Sequence, residues 1–196
     1  FLAILYYLGV RRGEALGLKW GDFDFTVDQV HIQRDIDFTG STAVDGTLKT
    51  EAADRFVPIP EDLKVMLLPK RESADAYVFH TPSGAPLPQA SYKRMWSRLM
   101  LECGCVEWRE LKPGTSRPDD ILKQVKPTLT PHYFRHNYVT LLYESGIDPL
   151  VAMKIVGHTD YQTTANIYTH LKEDTLRRAS VNMEKVFAKR SEQDAQ

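Results

Sequence analysis

His132-Tyr133-Phe134-Arg135-His136 is the stretch whose reading decides the fold. Thr130 and Pro131 just before it form a helix-start signal, so these five residues fall in the opening turns of a helix. Residues three or four apart share a helix face, which sets His132 beside Arg135. An imidazole and a guanidinium so placed can together hold the two non-bridging oxygens of a phosphate. The rival is a zinc site on His132 and His136. That motif needs Glu directly after its first His, and Tyr133 stands there. His136 then reads as a hydrogen-bonded structural residue behind the site.

Three more stretches carry residue types suited to the same chemistry. In Gly9-Val10-Arg11-Arg12-Gly13-Glu14 an arginine pair follows a glycine at a helix start, where backbone N–H groups already favour an anion. A surface arginine at a helix end is common, so taken alone this pair reads first as a solvated charge. Gly157-His158-Thr159-Asp160 offers a close backbone approach at Gly157 and a capping residue for a following helix. Thr164-Ala165-Asn166-Ile167-Tyr168-Thr169-His170 places a tyrosine near a helix end. A phenol titrates near 10, so Tyr168 acts as a nucleophile only with cations or a base beside it, and is otherwise a core or rim aromatic.

Composition sets the frame. The 196 residues, 42% hydrophobic and 26% charged, suffice for one sizeable domain with its own core. No apolar run approaches the roughly 20 residues that cross a bilayer, and no signal peptide opens the chain. Phe1 to Leu8 reads as the second half of a core helix, so the sequence is expected to be a fragment lacking an N-terminal part. Cys103 and Cys105 are expected to be reduced thiols. A net charge of -1 argues mildly against a nucleic-acid partner, unless the basic residues gather on one concave face.

The coarse order is helix, strands, then helices, which is an α+β class, mainly α-helical, with a small antiparallel sheet. Helices are expected at Phe1 to Leu8, Arg12 to Leu18, Glu61 to Leu68, Ala90 to Glu102, Pro131 to Ser145, Pro149 to Val156, Thr163 to His170 and Lys172 to Lys189. Period-two alternation makes Val27 to Asp37 one strand, with others near Leu48 to Thr50 and at Arg55 to Ile59. Phe38 to Gly46, rich in Gly, Ser, Thr and Asp, reads as a loop, and Glu107 to Pro127 as a surface insertion or long loop.

The ordered set Arg, Lys, His-x-x-Arg, Gly-His and Tyr resembles the tyrosine recombinase (phage integrase) family over nearly the whole chain. The segment from Gly9 to Asp24 is similar to that family's first arginine box. Leu48-Lys49-Thr50 followed by Arg55-Phe56-Val57-Pro58-Ile59-Pro60 is similar to its β-hairpin lysine segment. Tyr133-Phe134 and Asn137 depart from the commoner residues at those places, without touching the chemistry.

The resemblance implies a catalytic domain that breaks and rejoins DNA through a 3′-phosphotyrosine link at Tyr168. Phosphate-binding and catalytic roles fall to Arg11, Lys49, His132, Arg135 and His158, with Lys49 as general acid and Glu14 and His136 as structural support. Arg12 is the neighbouring rival to Arg11. No cofactor is implied, neither metal nor ATP. The implied partners are a double-stranded DNA attachment site and further recombinase protomers, as a tetramer on DNA, in the bacterial cytoplasm and with no membrane. The family's N-terminal DNA-clamping domain is expected to be absent from the fragment, and residues 172–196 are expected to form a C-terminal helix and tail that either docks on a neighbouring protomer or packs on its own domain. A type IB topoisomerase, a non-catalytic DNA-binding relative and a metal-dependent nuclease are the alternatives. The last lacks a convincing carboxylate set.

Overall fold

A computed structural model describes residues 1–40, 42–46, 51–109 and 121–158. Its first helix, α1 (Leu2–Leu8), buries Ile4, Leu5 and Leu8 and stops at Gly9, whose φ of 60 lets its N–H reach back to the Leu5 carbonyl. A Cβ on Gly9 would overlap the Tyr138 ring. A glycine is therefore required there twice over, and it allows α1 to lie close against α6 (Pro131–Glu144). Helix α2 (Arg12–Gly17) follows after three residues and is buried along Gly13, Glu14, Ala15 and Leu16.

The main sheet is antiparallel, with β1 (Phe23–Asp24), β2 (Gln29–Ile32) and β5 (Arg55–Pro58) in the order β1-β2-β5. Val30 faces Val57 and Ile32 faces Arg55 across the β2–β5 pair. The single strand expected over Val27 to Asp37 is split, because β2 ends at Ile32 and β3 (Asp35–Thr39) begins a separate hairpin. Arg34 lies in the break: its Nε donates to the Gly17 carbonyl at 3.1 Å and its Nη2 to the Asp22 carboxylate. These bonds draw the chain toward α2 and away from the sheet.

The loop expected over Phe38 to Gly46 is corrected in the same place. It is the rest of a hairpin in which β3 pairs with β4 (Thr42–Gly46), from Asp35 opposite Gly46 to Thr39 opposite Thr42. Gly40, with φ 62, supplies the positive dihedral that a two-residue connection needs. The long loop expected over Glu107 to Pro127 is likewise partly ordered. Strand β6 (Val106–Trp108) pairs antiparallel with β7 (Val125–Pro127), preceded by one turn of helix, α5 (Ile121–Gln124).

The remaining helices, α3 (Glu61–Leu67), α4 (Gln89–Glu102), α6 and α7 (Pro149–Val156), fall within a residue or two of expectation. The Asp148 carboxylate caps α7 by accepting from the Leu150 and Val151 N–H groups, whereas Thr130 makes no side-chain cap for α6. Leu5, Leu8, Leu16, Ile32, Leu63 and Met100 join α1, α2, the sheet, α3 and α4 in one core. Val139, Ala152 and Val156 make a small second core between α6 and α7. The class is α+β and mainly helical, as expected. The segments near Leu48 to Thr50, Thr163 to His170 and Lys172 to Lys189 lie outside the described residues.

Candidate functional site

The site is organised by one carboxylate and one helix end. Glu14, on the third residue of α2, is only 1% exposed. Its Oε2 accepts from the Arg11 backbone N–H at 2.7 Å, the acidic half of a capping box. Its Oε1 accepts from Arg11 Nη1 at 2.8 Å and Arg55 Nη1 at 3.1 Å, while Arg55 Nη2 reaches Oε2 at 2.9 Å. Arg135 Nη1 lies 3.9 Å from Oε2. Burial alone would raise the Glu14 pKa, but the hydrogen bonds and charge of Arg55, the Arg11 N–H and the charge of Arg135 hold it at about 2.

The same arginines cap the C-terminus of α7. The last carbonyls of a helix have no intrahelical partner and carry its negative dipole end. Here Arg55 Nε donates to the Ile155 carbonyl at 2.8 Å, Arg135 Nη2 to Val156 at 2.6 Å and Arg11 Nη2 to Gly157 at 3.1 Å. Arg135 also donates from Nη1 to the Gly9 carbonyl at 3.0 Å. Three guanidinium groups are thus fixed between Glu14 and α7, with a surplus of positive charge. Burial and the neighbouring Arg11 push the Arg135 pKa down to about 9, with Glu14 opposing, so Arg135 stays charged at neutral pH.

Gly157 ends α7 at φ 72 and hands the chain to His158, whose N–H returns to the Met153 carbonyl at 3.1 Å. A Cβ on Gly157 would lie 2.9 Å from both the Ala52 carbonyl oxygen and Arg55 Nη1. Close packing of α7 on β5 therefore depends on this residue. His158 sits half-buried, and its pKa falls to about 4 through desolvation and then the charges of Arg135, Arg11 and Arg55. It is a neutral imidazole at physiological pH, able to donate one N–H.

Arg11, His132 and Arg135 line one cleft of about 580 Å³, walled also by Trp96 and Pro131. Arg11 keeps 43% of its side chain exposed and so is the solvent-facing member of the cluster. Arg12 borders the same cleft but lies over the Phe38 and Tyr92 rings, at 5.0 and 5.6 Å. Its charge is engaged with aromatic faces, whereas that of Arg11 is in the Glu14 cluster.

Of the residues expected at the site, Arg11, Glu14, His132, Arg135 and His158 are brought together, and Lys49 and Tyr168 lie outside the described residues. His136 was expected as a hydrogen-bonded structural residue behind the site. It is exposed on α6, and its ring makes no hydrogen bond among the described residues.

Arg55 is the residue that sequence reasoning missed as a site member. The signal was available in β5: Arg55, Phe56, Val57 and Pro58 alternate, and Arg55 falls on the inward face with Val57. Phe56, on the outer face, is 60% exposed and stacks on His31 instead.

An inward-facing arginine cluster beside a histidine-bearing cleft, on a mainly helical scaffold, is an arrangement suited to an anion. Residues 1–175 match the phage integrase family, and the chain belongs to that family. It is 28% identical over 191 residues to the tyrosine recombinase XerC of Bacillus pumilus, a match covering 97% of this chain and 54% of the relative. It is 26% identical to the ICEBs1 integrase of Bacillus subtilis, over 87% of this chain and 44% of that one. The chain spans about half the length of the curated relatives it matches.

Among solved structures, XerA recombinase aligns over 92% of this chain and 54% of its own, at 26% identity and a TM-score of 0.58. The integrase of the Tn1549 transposon, solved with circular intermediate DNA, aligns over 93% and 58% at 23% identity and a TM-score of 0.66. The fold is that of a tyrosine recombinase catalytic domain.

Proposed function

We propose that this chain is the catalytic domain of a site-specific DNA recombinase or integrase, which integrates or excises a mobile element or phage. The observation that carries this reading is the clamp of Arg11, Arg55 and Arg135 between Glu14 and the end of α7, beside His132 and His158. Preorganised cations of this kind stabilise charge that develops on non-bridging phosphate oxygens, and each such donor typically contributes several kcal/mol. In this reading they supply the charge stabilisation that a divalent ion supplies in a metallonuclease, and the reaction uses neither metal nor ATP.

In this reading the Tyr168 oxygen attacks the scissile phosphorus in line. The bond from Tyr168 to phosphorus forms as the bond from phosphorus to the 5′-oxygen breaks. Lys49 gives its proton to that leaving oxygen and His132 accepts the tyrosine proton. Arg11, Arg135 and His158 hold the non-bridging oxygens. A 5′-hydroxyl of another strand then attacks the phosphotyrosine, so bond energy is conserved and no nucleotide is consumed. The relatives' names support DNA as substrate: the XerH recombinase was solved bound to a difH substrate, post-cleavage, at 25% identity and a TM-score of 0.53. Further protomers, as a tetramer on a duplex attachment site, complete the proposal. Among the described residues no helix is long and apolar enough to cross a membrane.

The test is a nicked suicide duplex incubated with the protein and with Tyr168→Phe, with and without EDTA, at low salt and high protein. A covalent adduct from the parent protein alone, on a denaturing gel, is the expected result. Equal adducts from both proteins would remove Tyr168 from its role. Strand cleavage without an adduct, abolished by EDTA, would return the chain to the metal-dependent alternative.

A further inference from the structure

Arg55 is set apart from the other two arginines of the cluster by how its donors are used. A guanidinium carries five N–H groups. Arg11 and Arg135 each commit two of theirs to hydrogen bonds with described residues, and both line the cleft. Arg55 makes four such bonds. Its Nη1 and Nη2 meet the two Glu14 oxygens at 3.1 and 2.9 Å, Nη1 also reaches the Ala53 carbonyl at 2.9 Å, and Nε reaches that of Ile155 at 2.8 Å. The Arg55 side chain is 5% exposed, and among the described residues it is no part of the cleft wall. A phosphate in the cleft therefore meets Arg11 and Arg135, not Arg55.

What Arg55 holds is the frame that the other two span. Arg11 runs from Glu14 to the Gly157 carbonyl, and Arg135, beside Glu14, from the Gly9 to the Val156 carbonyl. Ile155 is the residue before Val156 on the same helix end. Arg55 thus ties Glu14 on α2 to the last turn of α7 from the buried side. Its bond to Ala53 adds the turn Glu51–Ala53 that leads into β5. That turn packs on the end of α7, since a Cβ on Gly157 would lie 2.9 Å from the Ala52 carbonyl oxygen. A rigid planar fork so joins three distant segments at one point. An entering phosphate competes with Glu14 and the α7 carbonyls for the N–H groups of Arg11 and Arg135. The bonds of Arg55 face no such competition, so the spacing of α2 and α7 survives phosphate binding.

We propose that Arg55 is a positioning residue for strand cleavage: it fixes the separation of α2 and α7, and through it the aim of Arg11 and Arg135 at the non-bridging oxygens of the scissile phosphate. This rests on the recombinase reading above. Lysine does not substitute for it. A single ammonium keeps the charge against Glu14 but has no planar fork to reach Glu14, Ala53 and Ile155 together.

The experiment compares the parent chain with Arg55→Lys in single-turnover adduct formation on two nicked suicide duplexes. One carries the ordinary scissile phosphodiester. The other carries a methylphosphonate there, in which a methyl group replaces one charged oxygen and less negative charge falls to the arginines. On the phosphodiester Arg55→Lys should be about 100-fold slower, the loss that a misplacement of about 1 Å produces. The half-saturating duplex concentration should hold. On the methylphosphonate the gap should close by about tenfold or more, because the aim of the arginines matters less there. An equal gap on both duplexes, with the variant folded by its thermal midpoint, would reduce Arg55 to scaffold and overturn the role. So would the lack of a gap on either. A fall in duplex affinity parallel to the fall in rate would make Arg55 a phosphate ligand and overturn positioning. Should Arg55→Lys unfold, Glu14→Gln/Arg55→Gln removes both charges of the buried pair and carries the same comparison. A parent chain that forms no adduct on either duplex would overturn the recombinase reading, and the role with it.

Discussion

At Glu14 a buried carboxylate holds two arginines by hydrogen bonds and a third by charge. Removing its charge leaves Arg55 and Arg135 buried without compensation, a situation that typically costs about 3–5 kcal/mol. Glu14→Gln should therefore lower the urea unfolding free energy by that order while altering side-chain shape little. A loss under about 1 kcal/mol would mean that the α7 carbonyls alone satisfy the arginines. The pH dependence has a definite sign. The folded pKa of about 2 is below the ordinary value of 4.5, so this stabilisation is full above 4.5 and is lost as pH falls through 2. His158 acts in a higher window: its folded pKa of about 4 is below 6.5, so its contribution is full above 6.5 and is lost as pH falls through 4. Acid titration of Glu14→Gln should retain the upper limb and lose the lower one.

Helix α7 shows how an element end becomes part of a site. Its N-terminus is capped by Asp148 and its C-terminus by three arginines from β5, α6 and the start of α2. The N-cap was legible, since Asp before Pro is a local signal. The arginine caps were not, because they join residues up to 146 positions apart. Periodicity gave α3, α4, α6 and α7 nearly to the residue. It failed over β3 and β4, where a polar, half-exposed hairpin lacks the apolar alternation that marks a strand. It failed at Arg34 too, the one break in the apolar row Val30, Ile32, Ile36, where bonds to Gly17 and Asp22 end the strand. Arg55 was readable only by trusting alternation over polarity. At Gly157, Ala should be costly: φ 72 strains any L residue, and the new Cβ would press on the Ala52 carbonyl and Arg55. A thermal midpoint several degrees lower is expected, corresponding to about 1–3 kcal/mol. An unchanged midpoint would show that α7 can shift off β5 without loss.

Across the whole molecule, a net charge of -1 conceals a sharply uneven distribution. Composition argued against a polyanionic partner because a sum over the chain cannot see that Arg11, Arg55 and Arg135 converge from three distant segments. Their convergence, against one carboxylate, leaves the folded state with an electrostatic deficit that a bound anion relieves. A ligand that binds only the folded form raises its stability, by about 2.7 kcal/mol at a hundred times its dissociation constant. Sulfate, which shares the tetrahedral oxygens of a phosphodiester, should therefore raise the thermal midpoint more than chloride at matched ionic strength. Sulfate also stabilises proteins generally by exclusion from their surface, so the decisive quantity is the difference between the parent and Arg11→Gln. Arg11 is the exposed member of the cluster and the first that an entering anion meets. The sulfate increment should shrink in Arg11→Gln and persist in Lys123→Gln, whose charge lies on the other side of α4 from the cleft. An equal increment in the parent and Arg11→Gln would mean that the three guanidinium groups are satisfied by Glu14 and α7, and that the cluster is scaffold rather than phosphate site.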